Sequence, residues 1–307
     1  MTSVCVAILN YNGKKYLADL LPTACAAAEK YTGSCSVVVL DNHSSEDDVP
    51  WINREFPSVQ TTLAPKNDFL FSYNWLAQRR TEDILVLLNN DLKVDHNFLA
   101  PLVQHFQSTD VFSVSARSYD WDGMEVTSGP ARLEFKNGFY SWRFDTQQQK
   151  TSHTLFTSGG FMAVDRQKFL ELGGFNRLFA PAYCEDIDLC FRAWRRGWRC
   201  IYEPGSLVWH RHQASWGVHS TDSLDFLQLR SLLLMQWSTF PMHKGHWARL
   251  KSLVKLFLGS LFARGRVWMT TYPATLLHWL HVRRHYRWMK VDDRELRQIL
   301  CRIETEC

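Results

Sequence analysis

Apolar residues in the first ninety positions follow two alternating patterns. Short runs rich in Val, Ile and Leu occupy residues 3–9, 35–40, 59–63 and 83–88. Runs of this length, bounded by turn residues, predict buried strands. Between them lie stretches of helical spacing, one running through Tyr31 and one over 69–80. Strands alternating with helices predict an α/β fold, Rossmann-like, with a mostly parallel central sheet flanked by helices and ligands at the carboxyl ends of its strands. Polar residues gather at those ends: Asn10-Tyr11-Asn12, Asp41-Asn42 and Asn89-Asn90-Asp91.

Residues 118–156 are aromatic and polar without a clear period, as in hairpins. Beyond them 157–164 reads as a strand, 165–172 as a helix, Gly173-Gly174 as a breaker, 185–196 as a helix and 206–209 as a strand. From about residue 222 the pattern becomes amphipathic and helical, over 224–237 and 247–262. Two regions follow: an α/β domain over 1–222 and a basic, Trp-rich helical region over 223–307.

Charge sharpens that division. The net charge of +4 conceals ten Lys/Arg and no Asp/Glu between residues 241 and 290, which leaves −6 on the rest. Trp247, Trp268, Trp279 and Trp288 are interspersed with these cations, the composition of a helix lying in a membrane interface. An anionic membrane surface is therefore the expected partner, against a helical subdomain packed on the body or a homo-oligomer interface. Nucleic acid is not expected, because the cations alternate with large apolar residues. No run reaches the roughly 18–20 apolar residues of a spanning helix. Eight cysteines without a C-x-x-C pair, and no leader-like start, fit a reduced, cytoplasmic setting, peripheral to the membrane.

The strings VAILNYNG (6–13), VVVLDNHSSED (37–47), NDFLFSYN (67–74) and LLNND (87–91) recur in one known order. SGGFMAV (158–164), GGFN (173–176), YCEDIDLCFR (183–192) and VWH (208–210) continue it. Together they resemble the family 2 glycosyltransferases of GT-A fold, in particular the rhamnosyltransferase-like branch. The resemblance implies inverting transfer of a sugar from a nucleotide-sugar donor, of UDP or dTDP type, to a hydroxyl. The acceptor would be a glycan or a polyprenyl-diphosphate-linked molecule, in surface polysaccharide or glycolipid assembly.

The same resemblance assigns roles. Asp91 stands at the metal motif, where a divalent cation, Mn²⁺ or Mg²⁺, offsets charge on the leaving diphosphate. Here the motif reads Asn89-Asn90-Asp91, so Asn89 and Asn90 contribute hydrogen bonds but no charge. Taken alone, Asp91 also suits a loop cap. His210 stands at a metal-ligand position, with His212 as its alternate two residues on. Asp186 corresponds to the single base that an inverting displacement needs, although Glu185, Asp186 and Asp188 also suit a helix N-terminus.

Asp41 resembles the residue that reads a pyrimidine N–H, Leu9 and Tyr11 match contacts to base and ribose, and Asn67 and Asn74 match polar residues over the nucleotide. For Asn74 a structural hydrogen bond is equally open. Asp68 replaces a common glycine. Gly159-Gly160 match the wall beside the donor sugar. Arg192 suits an internal salt bridge more than a diphosphate contact, and Trp194 the core more than a sugar face. A silent nucleotide-sugar-binding scaffold and a sugar-nucleotide hydrolase remain as rivals, because fold alone does not decide function.

Overall fold

The computed structural model describes residues 2–211, 221–241 and 263–304, together with Trp247, Lys251 and Val254. The expected helix over 247–262 lies almost wholly outside the described residues, as does His212.

The chain opens with β1 (Val4–Asn10), α1 (Lys14–Lys30), β2 (Cys35–Asp41), α2 (Asp48–Glu55) and β3 (Gln60–Leu63). A 3-10 turn at Phe69–Phe71 leads into α3 (Ser72–Ala77), so the single helix expected over 69–80 is shorter and begins more tightly wound. Next come β4 (Ile84–Asn89), β5 (Leu92–Val94), α4 (Leu99–Val103), β6 (Val111–Tyr119) and β7 (Val126–Ser128). β8 (Ala131–Lys136) and β9 (Phe139–Phe144) form a separate two-stranded hairpin. Its turn, Asn137-Gly138, has positive φ at both residues (56° and 84°), the pair that a two-residue hairpin loop favours. β10 (Ser152–His153), β11 (Phe161–Asp165), α5 (Arg166–Glu171), α6 (Glu185–Arg195) and β12 (Arg199–His210) complete the part before residue 212.

The large sheet runs β10-β12-β6-β11-β4-β1-β2-β3, with β5 added beside β12 and β7 beside β6. β3, β2, β1 and β4 are mutually parallel, β11 is antiparallel to both β4 and β6, and β6 and β12 are again parallel to each other. Six of the ten strands thus run parallel; β11 reverses inside the sheet, and β5, β7 and β10 are reversed at its margins. Central strands buried on both faces explain the unbroken apolar runs: every residue from Val4 to Ile8 and from Ile84 to Leu88 is buried. Alternate side chains feed two cores, Cys5, Ala7, Leu85 and Leu87 on one face and Val4, Val6, Ile8, Val86 and Leu88 on the other.

After residue 220 come α7 (Thr221–Ser238), α8 (Ala263–Val282) and α9 (Asp293–Glu304). Leu234, Met235 and Phe240 belong to the same core as α6, and so do Met289, Val291, Leu296, Ile299 and Ile303. Arg195 on α6 also donates to Glu295 on α9 at 2.6 Å. Described residues after 222 therefore share a core with those before it. Among the described residues no helix is long and apolar enough to cross a membrane.

Candidate functional site

The register of the parallel strands sets three polar ends side by side. Asn10 at the end of β1 pairs with Asp41 at the end of β2, while Leu9 pairs with Asn89 at the end of β4. Beneath them runs a buried chain of amides. The Asn90 side chain donates to Asn10 Oδ1 (2.9 Å), and Asn10 donates in turn to Asp48 Oδ2 (2.6 Å), which also accepts the Gly13 N–H (2.8 Å). Position 13 must be glycine here, because a Cβ would lie 1.9 Å from the Asn90 amide nitrogen. Asn90, expected to meet a nucleotide, thus uses its amide to tie loops together.

Asp41 is buried, and its carboxylate accepts both the backbone N–H and the hydroxyl of Ser44. A carboxylate has about four lone-pair sites, so room for a further donor remains. Leu9 is half-buried against the core, and Tyr11 is 52% exposed at the mouth. Asn67 is exposed and accepts the Phe69 N–H at 3.3 Å. Asn74 departs from the expected nucleotide contact: its amide donates to Phe175 O (2.9 Å) and accepts from Phe175 N (2.8 Å). That two-way clamp is the structural alternative, and it fixes the Gly173-Gly174-Phe175 loop.

Asn42 carried no role in the sequence reading, yet it holds the cover of the cleft. Its amide donates to Phe69 O (3.0 Å) and accepts the Ser72 hydroxyl, pinning the 69–72 segment across the strand ends. The adjoining Asp68 accepts from Arg177 through both carboxylate oxygens. The aspartate in place of a glycine therefore has a partner, and the positive φ falls on the next residue, Phe69 (51°). Such a DN-x-S string followed by a helix could have flagged Asn42, since buried amides at strand ends need partners.

Asp91 and His210 are brought together by the pairing of β5 with β12. Leu92 lies opposite His210, and Arg211 N–H donates to Asp91 O (3.1 Å). As a result Asp91 Oδ1 stands 3.4 Å from His210 Nε2, with both side chains mostly buried. Hard carboxylate oxygen with imidazole suits Mn²⁺ or Mg²⁺. Donors 3.4 Å apart subtend roughly 110° at an ion about 2.1 Å from each, a workable angle for adjacent ligands. The residues fit a divalent ion with two protein ligands, and no group of three or more His, Cys, Asp or Glu suited to a metal occurs among the described residues.

Asp186 sits one residue into α6, behind an unusual approach. Tyr183 and Cys184 both adopt left-handed conformations (φ 73° and 65°), which costs of order 1–3 kcal/mol for each such residue. The turn sets Glu185 and Asp186 at the helix N-terminus, where the dipole favours negative charge. Asp186 Oδ2 accepts the Gly159 N–H (3.0 Å) and Oδ1 accepts the Ile187 N–H (2.8 Å). Gly160 carries the link onward: its carbonyl accepts the Asn89 N–H at 2.8 Å, and a Cβ there would meet the Asn89 amide at 2.8 Å. Asp186 is thereby connected through two successive glycines to Asn89, two residues before Asp91.

Burial raises the Asp186 carboxyl above its ordinary range, against the pull of the Gly159 and Ile187 N–H groups. Burial first, and the neighbouring Asp186 charge second, push Glu185 up to about 8. Two carboxyls this close titrate as a pair. Both line a cavity of about 630 Å³ bounded by the β8–β9 hairpin and α7.

The rest of the α6 motif is structural. Arg192 donates to Asp188 (2.8 Å), Leu172 O (2.6 Å) and Gly174 O (2.8 Å), which is the internal salt bridge the sequence favoured. Trp194 is buried and donates to Thr154 O (3.1 Å) and Leu155 O (3.2 Å), while Trp198 stacks on Phe112.

The chain is similar to known proteins in sequence and in fold. A family model described as glycosyltransferase like family 2 matches residues 2–222. N-acetylgalactosaminyltransferase 6 of Drosophila melanogaster is 22% identical over 231 residues, 68% of this chain and 34% of that protein. The chain spans only 22–34% of the length of the curated relatives it matches. Among solved structures, GalNAc-T7 with UDP, GalNAc and Mn²⁺ is similar at a TM-score of 0.59 and 17% identity, over 78% of this chain and 48% of that one. The mannosyltransferase PcManGT of Pyrobaculum calidifontis, in complex with GDP-Man and Mn²⁺, gives 0.58 and 15%, over 97% and 86%. Both likenesses concern the GT-A fold.

Proposed function

We propose that this chain, which belongs to glycosyltransferase-like family 2, transfers a sugar from a nucleoside-diphosphate sugar to an acceptor hydroxyl with inversion at the anomeric carbon. The observation that carries the reading is the linked set Asp91–His210, Asn89–Gly160 and Gly159–Asp186 on one edge of the sheet. This set supports the reading because an acid–imidazole pair and a half-buried carboxylate are joined through Asn89, Gly160 and Gly159.

In this reading Asp186 accepts the proton of the acceptor hydroxyl as its oxygen forms the new bond to the anomeric carbon. The bond from that carbon to the donor phosphate oxygen breaks, and a nucleoside diphosphate leaves. One base suffices for such a displacement. The Gly159 N–H orients the carboxylate so that its remaining lone pairs face the cavity. Asp91 and His210 would hold a divalent cation, which supplies charge stabilisation to the departing diphosphate. Asp41 accepts from the N–H of a uracil or thymine ring, and Tyr11 borders the base. Asn74 and Asn90 hold the walls, and Asn42 holds the cover.

A nucleotide panel tests the donor site. UDP or dTDP at about 100 times its dissociation constant should stabilise the protein by about 2.7 kcal/mol, with Mn²⁺ present, and CDP should not. Equal stabilisation by CDP would remove Asp41 as the base-reading group. A response to GDP alone would move the donor to a purine nucleotide, as in the mannosyltransferase complex.

A second proposal concerns location, in the setting of surface glycan or glycolipid assembly at the cytoplasmic face. Leu277 is 69% exposed, Leu280 45% and Trp288 52%, and Arg283, Arg284 and Arg287 beside them are exposed. Apolar side chains rimmed by cations suit an anionic bilayer, where each basic residue contributes about 1 kcal/mol. Vesicles containing phosphatidylglycerol should float with the protein at low salt and release it at high salt. Failure to co-float at low salt, or equal flotation with neutral vesicles at high salt, would contradict this.

A further inference from the structure

The cavity beside Asp186 differs in chemistry from the nucleotide cleft. Its walls come from four separate parts of the chain: the β9 strand, the 156–158 segment, the 183–187 turn and α7. Trp142 and Phe144 lie on one face of β9, two residues apart, and both pack on Phe156, with ring centroids 5.8 and 5.7 Å away. Tyr183 adds a further ring to the lining.

Against this aromatic wall stand three carboxyl groups and the neutral polar groups of Ser158 and Gln228. Glu185, Asp186 and Asp225 all line the cavity, together with Gln228, one helical turn after Asp225. Among the described residues that line it there is no lysine, arginine or histidine. Glu185 is only 8% exposed, and its Oε2 is buried without a hydrogen-bond partner. An orphaned buried carboxyl oxygen costs free energy until a ligand or water satisfies it.

We propose that this cavity binds the acceptor as an uncharged sugar ring, its C–H face against Trp142 and Phe144 and its hydroxyls on Glu185, Asp225 and Gln228. The proposal rests on the reading of Asp186 as base, and it deepens that reading by naming the acceptor class. A pyranose ring has an apolar face and a rim of hydroxyl donors, which matches aromatic rings facing carboxyl acceptors. An acidic sugar or a sugar phosphate would add a further acidic group to a pocket whose described lining offers no cation to offset it, a contact that costs affinity. A lipid chain would leave the carboxyl groups without partners. If the acceptor is carried on a lipid diphosphate, the sugar enters this cavity and the diphosphate stays outside it.

Saturation-transfer NMR tests this with the full chain, UDP and Mn²⁺. The probes are methyl hexosides, glucosamine, glucuronate and glucose 6-phosphate. At least one neutral methyl hexoside should receive saturation on the protons of one ring face, and glucuronate and glucose 6-phosphate should receive at least tenfold less. Trp142→Ala should abolish the signal and Trp142→Phe should restore most of it, while UDP stabilisation persists in both and reports folding. Asp225→Asn should narrow the gap between neutral and anionic probes. Saturation of no neutral sugar, or of the anionic ones equally, would overturn the proposal. Glucosamine far ahead of the neutral rings would overturn it in favour of a cationic acceptor. Asp186→Asn separates the two readings, because transfer surviving in that variant removes the base assignment while leaving the binding result intact.

Discussion

Asp186→Asn should lower sugar transfer by about 10³–10⁴-fold in kcat, near the upper range for loss of a general base. The substitution keeps the side-chain volume, but its single amide oxygen can accept only one of the Gly159 and Ile187 N–H groups, so retained stabilisation by UDP serves as the folding control. Nucleotide affinity should change less than threefold, because the proposed mechanism sets Asp186 against the acceptor hydroxyl and not the nucleotide. The pH profile carries the same assignment. Burial raises the Asp186 carboxyl above its ordinary 3.8, so protonation, and with it loss of kcat, sets in at a higher pH than for an exposed aspartate. Activity therefore falls as pH drops through that raised value and recovers above it. Turnover within tenfold of the parent in Asp186→Asn would remove it as the base.

The second large effect is at the metal pair. Asp91→Asn removes the only carboxylate of the Asn89-Asn90-Asp91 string and leaves His210 without an anionic partner at 3.4 Å. Charge stabilisation of a leaving diphosphate by a metal is worth several kcal/mol, and each 1.36 kcal/mol is tenfold in rate. A loss of about 10²–10³-fold in kcat/KM is expected, together with loss of the Mn²⁺-dependent part of nucleotide binding. Folding should survive, since asparagine preserves volume and the Asp91 carbonyl still accepts the Arg211 N–H. Unchanged Mn²⁺-dependent stabilisation by UDP in Asp91→Asn would contradict the pair as the metal site.

The strand ends were legible because buried parallel strands write themselves as short apolar runs stopped by polar residues. Asn10, Asp41 and Asn89 could be set side by side from such runs alone. The juxtaposition of Asp91 with His210 was suggested only by family likeness. Its physical cause is a three-residue strand, β5, too short to give a period, pairing with the far end of β12. The helices α2 and α4 also escaped notice, being eight and five residues long.

Asn74 and Asn90 show a different limit. An amide has the same donors and acceptors whether it meets a nucleotide or a backbone, so residue type cannot separate the cases. Only the positions of Phe175 and Asn10 did so. The cavity beside Asp186 was the least legible part. Its walls combine a hairpin whose aromatic residues lack a clean alternation with a helix beyond residue 220, and no local pattern announces that Trp142, Glu185 and Asp225 meet.

The most direct test of the account is a product analysis with a labelled UDP- or dTDP-sugar, Mn²⁺ and the neutral hexoside that binds best, run beside the same mixture without acceptor. The account predicts a new glycoside of inverted anomeric configuration, formed with one equivalent of nucleoside diphosphate, and little free sugar when acceptor is present. Free sugar released at the same rate with or without acceptor would make the protein a sugar-nucleotide hydrolase. Tight nucleotide binding with no product in either mixture would make it a binding scaffold.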